Sequence, residues 1–206
     1  MNSIREKKDQ IVNFWSIDEE SDREKLIEEI RNYSEIKTEA VLVQEIRDNF
    51  KQTSSSGISV IYEALSKNPK KWSNFFKEEY ETAFESAKKS EKAFEILESL
   101  QGISFVKEGE LETLDEIISL LGNNLSHQNK VIRYNSVWYL GDWISDKNKD
   151  KYSHIIDKII DRLQDENWKI RYITKLILDD LNKLPKDYTI NLWDKIRIKF
   201  GNPFAI

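Results

Sequence analysis

The sequence predicts an all-α fold of helix hairpins joined by short loops, and three observations predict it. Apolar residues recur at helical spacing in nearly every segment, and strand-like alternation is sustained nowhere. The 206 residues include only 6 Gly and 3 Pro, too few for the many tight turns of a β-sandwich. With 39% hydrophobic and 11% aromatic residues the chain can bury a core in spite of 33% charged ones.

Taken in order, residues 4–15 place Ile4, Ile11, Val12 and Trp15 at helical intervals. Ser21 with Glu24 reads as a capping box that opens a helix with Leu26, Ile27 and Ile30 on one face. Residues 38–50 follow with Val41, Leu42, Ile46 and Phe50. QTSSSG (52–57) reads as the clearest loop, and a helix from Ile58 to Lys67 stops at Asn68-Pro69. The next helix starts near Pro69, a residue favoured in first helical turns, and carries Trp72, Phe76, Tyr80, Phe84 and Ala87. Ser90 is a candidate cap for a helix bearing Phe94, Leu97 and Leu100, with Gly102 as its stop.

The C-terminal half contains an internal repeat. NLSHQNKVIRYNSVWYL (124–140) aligns with RLQDENWKIRYITKLIL (162–178) at an offset of 38. Ile132-Arg133-Tyr134 recurs as Ile170-Arg171-Tyr172, and Asn129 recurs as Asn167 where a helix cap is needed. Upstream, Ile117, Ile118 and Leu121 match Ile155, Ile156 and Ile159, so each unit reads helix, turn, helix. A third unit begins at about Tyr188, with Leu192 and Ile196 on its first helix, and has no room for a second.

On these residues the chain resembles the HEAT-repeat family of α-solenoids, mainly across residues 108–200. The matching features are Asp165 in the turn, Ile170-Arg171 opening the second helix and Leu178 beyond it, with Ile132-Arg133, Ser136, Leu140 and Gly141 in the first unit. His127 stands where the family has the turn Asp. The resemblance implies a short α-α superhelix in one all-α domain, with residues 1–101 as its divergent portion. It also implies that Asp165, Arg133 and Arg171 bond between neighbouring repeats, a structural role, and that the second helices line a concave surface. Physically, one helix pair cannot bury its apolar stripe alone, whereas stacked pairs share a core.

At about 100° per residue, Ile132, Ser136, Leu140, Trp143 and Ile144 share one side of their helix, with Tyr134, Trp138, Gly141 and Asp142 opposite. The equivalent helix sets Tyr172, Leu176, Asp179 and Asp180 opposite its core side. One reading is a partner-binding groove of Tyr134, Trp138, Asp142, Tyr172, Leu176, Asp179 and Asp180. Trp and Tyr are frequent hot-spot residues, and the acids would steer a basic protein segment. The competing reading packs these aromatics under a further helix layer. Trp168 is expected on the inter-helix turn, and Trp15, Trp72 and Trp193 as ordinary amphipathic anchors.

The signals for chemistry are weak. With no Cys and only His127 and His154, no zinc site, no disulfide and no metal cofactor is expected. No phosphate-cradling Gly loop, Walker string or GxSxG elbow occurs, and DKNKDK (146–151) lacks the Gly and Glu of a calcium loop. Acid pairs such as Glu78-Glu79 read as solvated surface. One enzymatic alternative survives, because some bacterial glycosylases that excise alkylated bases use HEAT-like repeats. Trp138 could hold a cationic base and Asp142, one turn on, could stabilise developing positive charge. The surrounding VWYLGDW does not otherwise reproduce that family's motif.

The net charge of −5 disfavours sequence-independent nucleic-acid binding. It lies in residues 1–101, with 16 basic and 21 acidic residues. The start MNSIREKKDQ lacks a signal-peptide core, and no window is apolar enough for a membrane span. Lys outnumbers Arg 24 to 8, a bias of AT-rich bacterial genomes. The sequence thus points to a cytoplasmic, non-catalytic protein-binding module without cofactor, of adaptor, inhibitor or immunity type.

Overall fold

A computed structural model describes residues 23–36, 41, 42, 44, 45, 55–105 and 111–204. Every regular element among the described residues is helical. They form two compact units. One holds the described residues up to Glu79 together with those of Glu98–Glu112; the other holds Tyr80–Leu97 and the chain from Thr113 onward.

The first unit contains α1 (Arg23–Ile36), α2 (Ser55–Leu65) and the first turns of α3 (Ser73–Lys88). It also holds the 3₁₀ segment Ser99–Phe105 that follows α4 (Ala93–Glu98). α2 packs on α1 and on the 3₁₀ segment. Its core centres on Leu65, Trp72, Phe75 and Phe76, all essentially inaccessible. Tyr62 meets Phe75 and Phe76 edge-on at 6.0 and 6.2 Å, the geometry in which ring edge and ring face attract. Its hydroxyl donates to Glu79 at 2.6 Å, so the phenol is buried without an orphaned polar end.

The second unit contains the remainder of α3, α4, and two hairpins. α5 (Leu114–Asn124) pairs with α6 (Lys130–Trp143), and α7 (Ser153–Asp161), extended by a 3₁₀ turn, pairs with α8 (Trp168–Asp180). α6 also packs on α8 and α5 on α7, so like helices of the two hairpins lie side by side. The repeat in sequence is a repeat in capping. Asn129 Oδ1 accepts from the Val131 amide and Asn167 Oδ1 from the Lys169 amide, both at 2.9 Å, satisfying first-turn donors. Close approach between the hairpins occurs at two glycines. A Cβ on Gly122 would lie 2.6 Å from Ile155 Cδ1, and one on Gly141 would lie 2.7 Å from both Cδ1 and Cγ1 of Ile177. Under the hairpins, Trp143 Nε1 donates to Tyr80 Oη at 3.0 Å and Tyr139 Oη donates to the Leu97 carbonyl at 2.6 Å. Just past the end of α8, Asn182 sits in the left-handed region (φ 55°) that Asn tolerates, and the Lys183 amide closes back on the Leu178 carbonyl at 2.8 Å. α9 (Leu192–Phe200) follows, capped by Asn191, whose Oδ1 accepts from the Asp194 amide at 2.8 Å.

Several local expectations change. The stretch read as the loop 52–57 is helical from Ser55, since a first turn needs no intrahelical amide partners and accepts Ser readily; residues 52–54 lie outside the described residues. Pro69 sits in a turn and α3 starts only at Ser73, whose hydroxyl donates to the Pro69 carbonyl at 3.1 Å. Gly102 does not stop a helix; it lies inside the 3₁₀ segment. Ser90 does serve the start of α4, accepting from the Lys92 amide at 3.1 Å. Residues 80–97, part of the stretch 1–101 that carries no repeat signature, fall in the same compact unit as the two hairpins. Trp193 is no core anchor: it is 71% exposed, as α9 turns its apolar side to solvent. The expectations for Ile4, Ile11, Val12, Trp15, Ser21, Ile46 and Phe50 fall outside the described residues.

Candidate functional site: an aromatic helix face and its C-terminal cover

The repeated Arg residues brace the turns. Arg133 grips Asp165 of the next hairpin through Nε and Nη2 at 2.8 and 3.0 Å, while its Nη1 donates to the carbonyls of His127 and Gln128. One repeat on, Arg171 grips Asp194 at 2.7 Å through both nitrogens and donates to the carbonyls of Asp165 and Glu166. Fork-to-carboxylate pairs of this kind fix geometry as well as energy. In each turn the residue two before the cap accepts the cap's amide: Asp165 Oδ1 at 2.9 Å in one, His127 Nδ1 at 3.0 Å in the other. His127 therefore replaces the turn Asp locally. The second His, His154, is exposed. These residues hold the hairpins in register and fix the azimuth of α6 and α8.

That azimuth sets three aromatic side chains on one face. Tyr134 and Trp138, one turn apart on α6, stack at 6.3 Å with 20° between planes. The chain returns after α9 across this face. Phe204 stands edge-on to Trp138 at 6.1 Å and to Tyr172 of α8 at 6.2 Å, bringing the two helices' rings together. The Tyr134 hydroxyl donates to the Pro203 carbonyl at 3.4 Å, and the Phe204 amide donates to Asn202 Oδ1 at 3.0 Å, forming an Asx turn. Tyr134 is only 3% exposed, and burial pushes its hydroxyl up to about 12. Trp138, Tyr172 and Leu176 are half-buried. Phe204 remains 50% exposed.

Within its unit this face is partly covered by the segment at Pro203 and Phe204, with Tyr134 buried beneath it. Of the seven residues read from sequence, Tyr134, Trp138 and Tyr172 are assembled through Phe204. Asp142 is an exposed residue, yet protein mass around its carboxyl desolvates it and pushes it up to about 6. Asp179 is exposed and paired with Lys175 at 2.7 Å, and Asp180 is exposed. Phe204 and Pro203 are residues of this face that the sequence reading missed. The signal was there, since Gly201-Asn202-Pro203 is turn punctuation that sends the chain back after α9.

A cleft of about 780 Å³ opens beside the α7–α8 turn, lined by Asp161, Gln164, Asp187, Tyr188 and Asn191, with Asp165 and Arg171 at its wall. The last two are already paired, with Arg133 and Asp194 respectively. Among the described residues no group of three His, Asp or Glu is placed to hold a metal ion, and no helix is long and apolar enough to cross a membrane. The chain matches no protein-family model, and neither the curated proteins nor the solved structures contain a significant match to it.

Proposed function

We propose that this chain is a non-catalytic protein-binding module, a bacterial adaptor, inhibitor or immunity-type protein, that receives a partner segment on the α6–α8 face. The observation that carries this reading is the seating of Phe204 between Trp138 and Tyr172. A face that takes one aromatic side chain edge-on, and leaves it half exposed, is shaped to take another. Edge-to-face ring pairs add about 0.5–1.5 kcal/mol each beyond the area they bury. The exposed carboxylates of Asp142, Asp179 and Asp180 favour a partner segment that carries Lys or Arg beside its aromatic anchor.

Selection from a displayed random-peptide library, followed by titration of the selected peptides, tests the reading. Enrichment of an aromatic residue flanked by basic ones is expected. Trp138→Ala and Tyr172→Ala should each weaken the selected peptides at least about tenfold, with the far-ultraviolet circular dichroism unchanged. Wild-type affinity in both variants would refute the assignment of this face.

A further inference from the structure

The exposed side of α9 is apolar, and its residues are other than those of the aromatic face above. With about 100° per residue, Leu192, Ile196, Phe200 and Trp193 fall within one arc of about 100°. All four are exposed, Leu192, Trp193 and Phe200 at 70, 71 and 79%. Single exposed apolar residues mean little, but a contiguous apolar patch marks a contact surface. The docked side of the helix is the opposite one. There Asp194 is buried and held by Arg171, with Arg197 at 3.5 Å from the same carboxylate.

The borders of the arc are basic on both sides. Lys195 and Lys199 fall on one border and Arg197 on the other, all three exposed. The only acid of the helix is the buried Asp194, so the exposed surface of α9 has no negative group of its own. Helix-on-helix packing is how this unit covers apolar stripes elsewhere, α5 on α7 and α6 on α8. A second copy offering the same face would bring the Lys and Arg borders together, a repulsive match for the symmetric contact most dimers use.

We infer that α9 docks an amphipathic helix of another protein, one whose apolar stripe is bordered by Asp or Glu. The partner helix lies along Leu192, Trp193, Ile196 and Phe200, with its acids reaching Lys195, Lys199 and Arg197. Trp193, large and fully presented, is the anchor.

The test uses the full chain and a fluorescent helix-stapled peptide with a Leu stripe bordered by Glu, beside a counterpart with every Glu replaced by Lys. Saturable binding of the acidic peptide alone is expected, read by anisotropy. Trp193→Ala should weaken it at least about 30-fold, and Lys195→Glu with Lys199→Glu about tenfold. These positions are exposed, so circular dichroism should show folded variants. Trp138→Ala should bind the acidic peptide like wild type, which separates this surface from the α6–α8 face. Equal binding of both peptides, or affinity untouched by the charge reversal, overturns the inference. So does absent peptide binding together with Trp193-dependent binding to phosphatidylglycerol vesicles, or a concentration-dependent dimer in sedimentation that Trp193→Ala abolishes.

Discussion

Removing Asp165 tests the bracing of the hairpins most directly. Its side chain is 2% exposed and that of its partner Arg133 is 6% exposed, so the pair is a desolvated one. The carboxylate accepts two bonds from Arg133 at 2.8 and 3.0 Å and one from the Asn167 amide at 2.9 Å. Asp165→Ala leaves the Arg133 Nε and the Asn167 amide without those acceptors. The guanidinium keeps only the carbonyls of His127 and Gln128 and the exposed carboxylate of Glu166. Breaking one side of a buried pair costs about 3–5 kcal/mol, a large part of the ~5–15 kcal/mol that holds a typical domain. Asp165→Asn keeps an oxygen for the Asn167 amide and should cost less, about 1.5–3 kcal/mol for the lost charged hydrogen bond. Glu166→Ala, whose side chain is 82% exposed, should cost no more than about 1 kcal/mol. The double replacement Arg133→Met with Asp165→Leu should recover only part of the loss: it removes the uncompensated buried charge, but it leaves the Asn167 amide without its acceptor, the His127 and Gln128 carbonyls without their donor and Arg162 without its ion pair. Urea denaturation followed by circular dichroism measures all four. A loss of under about 1 kcal/mol for Asp165→Ala, or one equal to that of Glu166→Ala, would refute the reasoning.

Three further predictions concern single positions. Thr174 is fully buried and its Oγ1 has no partner, whereas its repeat counterpart Ser136 donates to the Ile132 carbonyl at 2.7 Å; Thr174→Val should stabilise by about 1 kcal/mol and Ser136→Ala should destabilise, both read from urea midpoints. Gly141→Ala should cost about 1 kcal/mol or more, since both Cγ1 and Cδ1 of Ile177 block the new methyl, whereas Gly122→Ala meets only the swinging Cδ1 of Ile155 and should gain a few tenths of a kcal/mol from helix propensity. Asp142 has its carboxyl raised from 3.8 to about 6 by desolvation. The folded state therefore binds the proton more tightly than the unfolded chain, and stability contributed at this site falls as pH rises from about 4 to 6. Asp142→Asn should be more stable than wild type at neutral pH and indistinguishable from it below pH 4, as checked by urea midpoints at the two pH values.

What the sequence made legible was local and periodic. The Asn129 and Asn167 caps follow from a residue type that offers an acceptor at a helix start, and the hairpin pairing follows from apolar spacing. The side of α6 that carries Tyr134 and Trp138 was also legible, since azimuth is set by 3.6-residue periodicity. What covers that side was not. Phe204 reaches Trp138 and Tyr172 only because Asn202 and Pro203 turn the chain back, and a turn's direction is a tertiary outcome that periodicity does not encode. Trp193 fails for a related reason: amphipathic spacing marks an apolar face but cannot say whether anything lies against it. The assignment of residues 80–97 to the unit of the hairpins was hidden because they carry no repeat signature, only the ring and hydroxyl of Tyr80 and the Leu97 carbonyl that accepts from Tyr139.

The bonds from Trp143 to Tyr80 and from Tyr139 to Leu97 have a kinetic consequence. The stacking contacts between the hairpins close over 32 residues and those to α9 over 23, whereas these two close over 63 and 42. Arrays held only by nearest neighbours nucleate anywhere and propagate. Here the hairpins complete their core only after long loops have closed, and loop closure is the slow step for non-local contacts. The unit made of Tyr80–Leu97 and the chain from Thr113 onward should therefore refold in one concerted phase, slower than its helical content suggests. Chains cut between Leu97 and Thr113 should fail to accumulate hairpins, however strong each helix is alone.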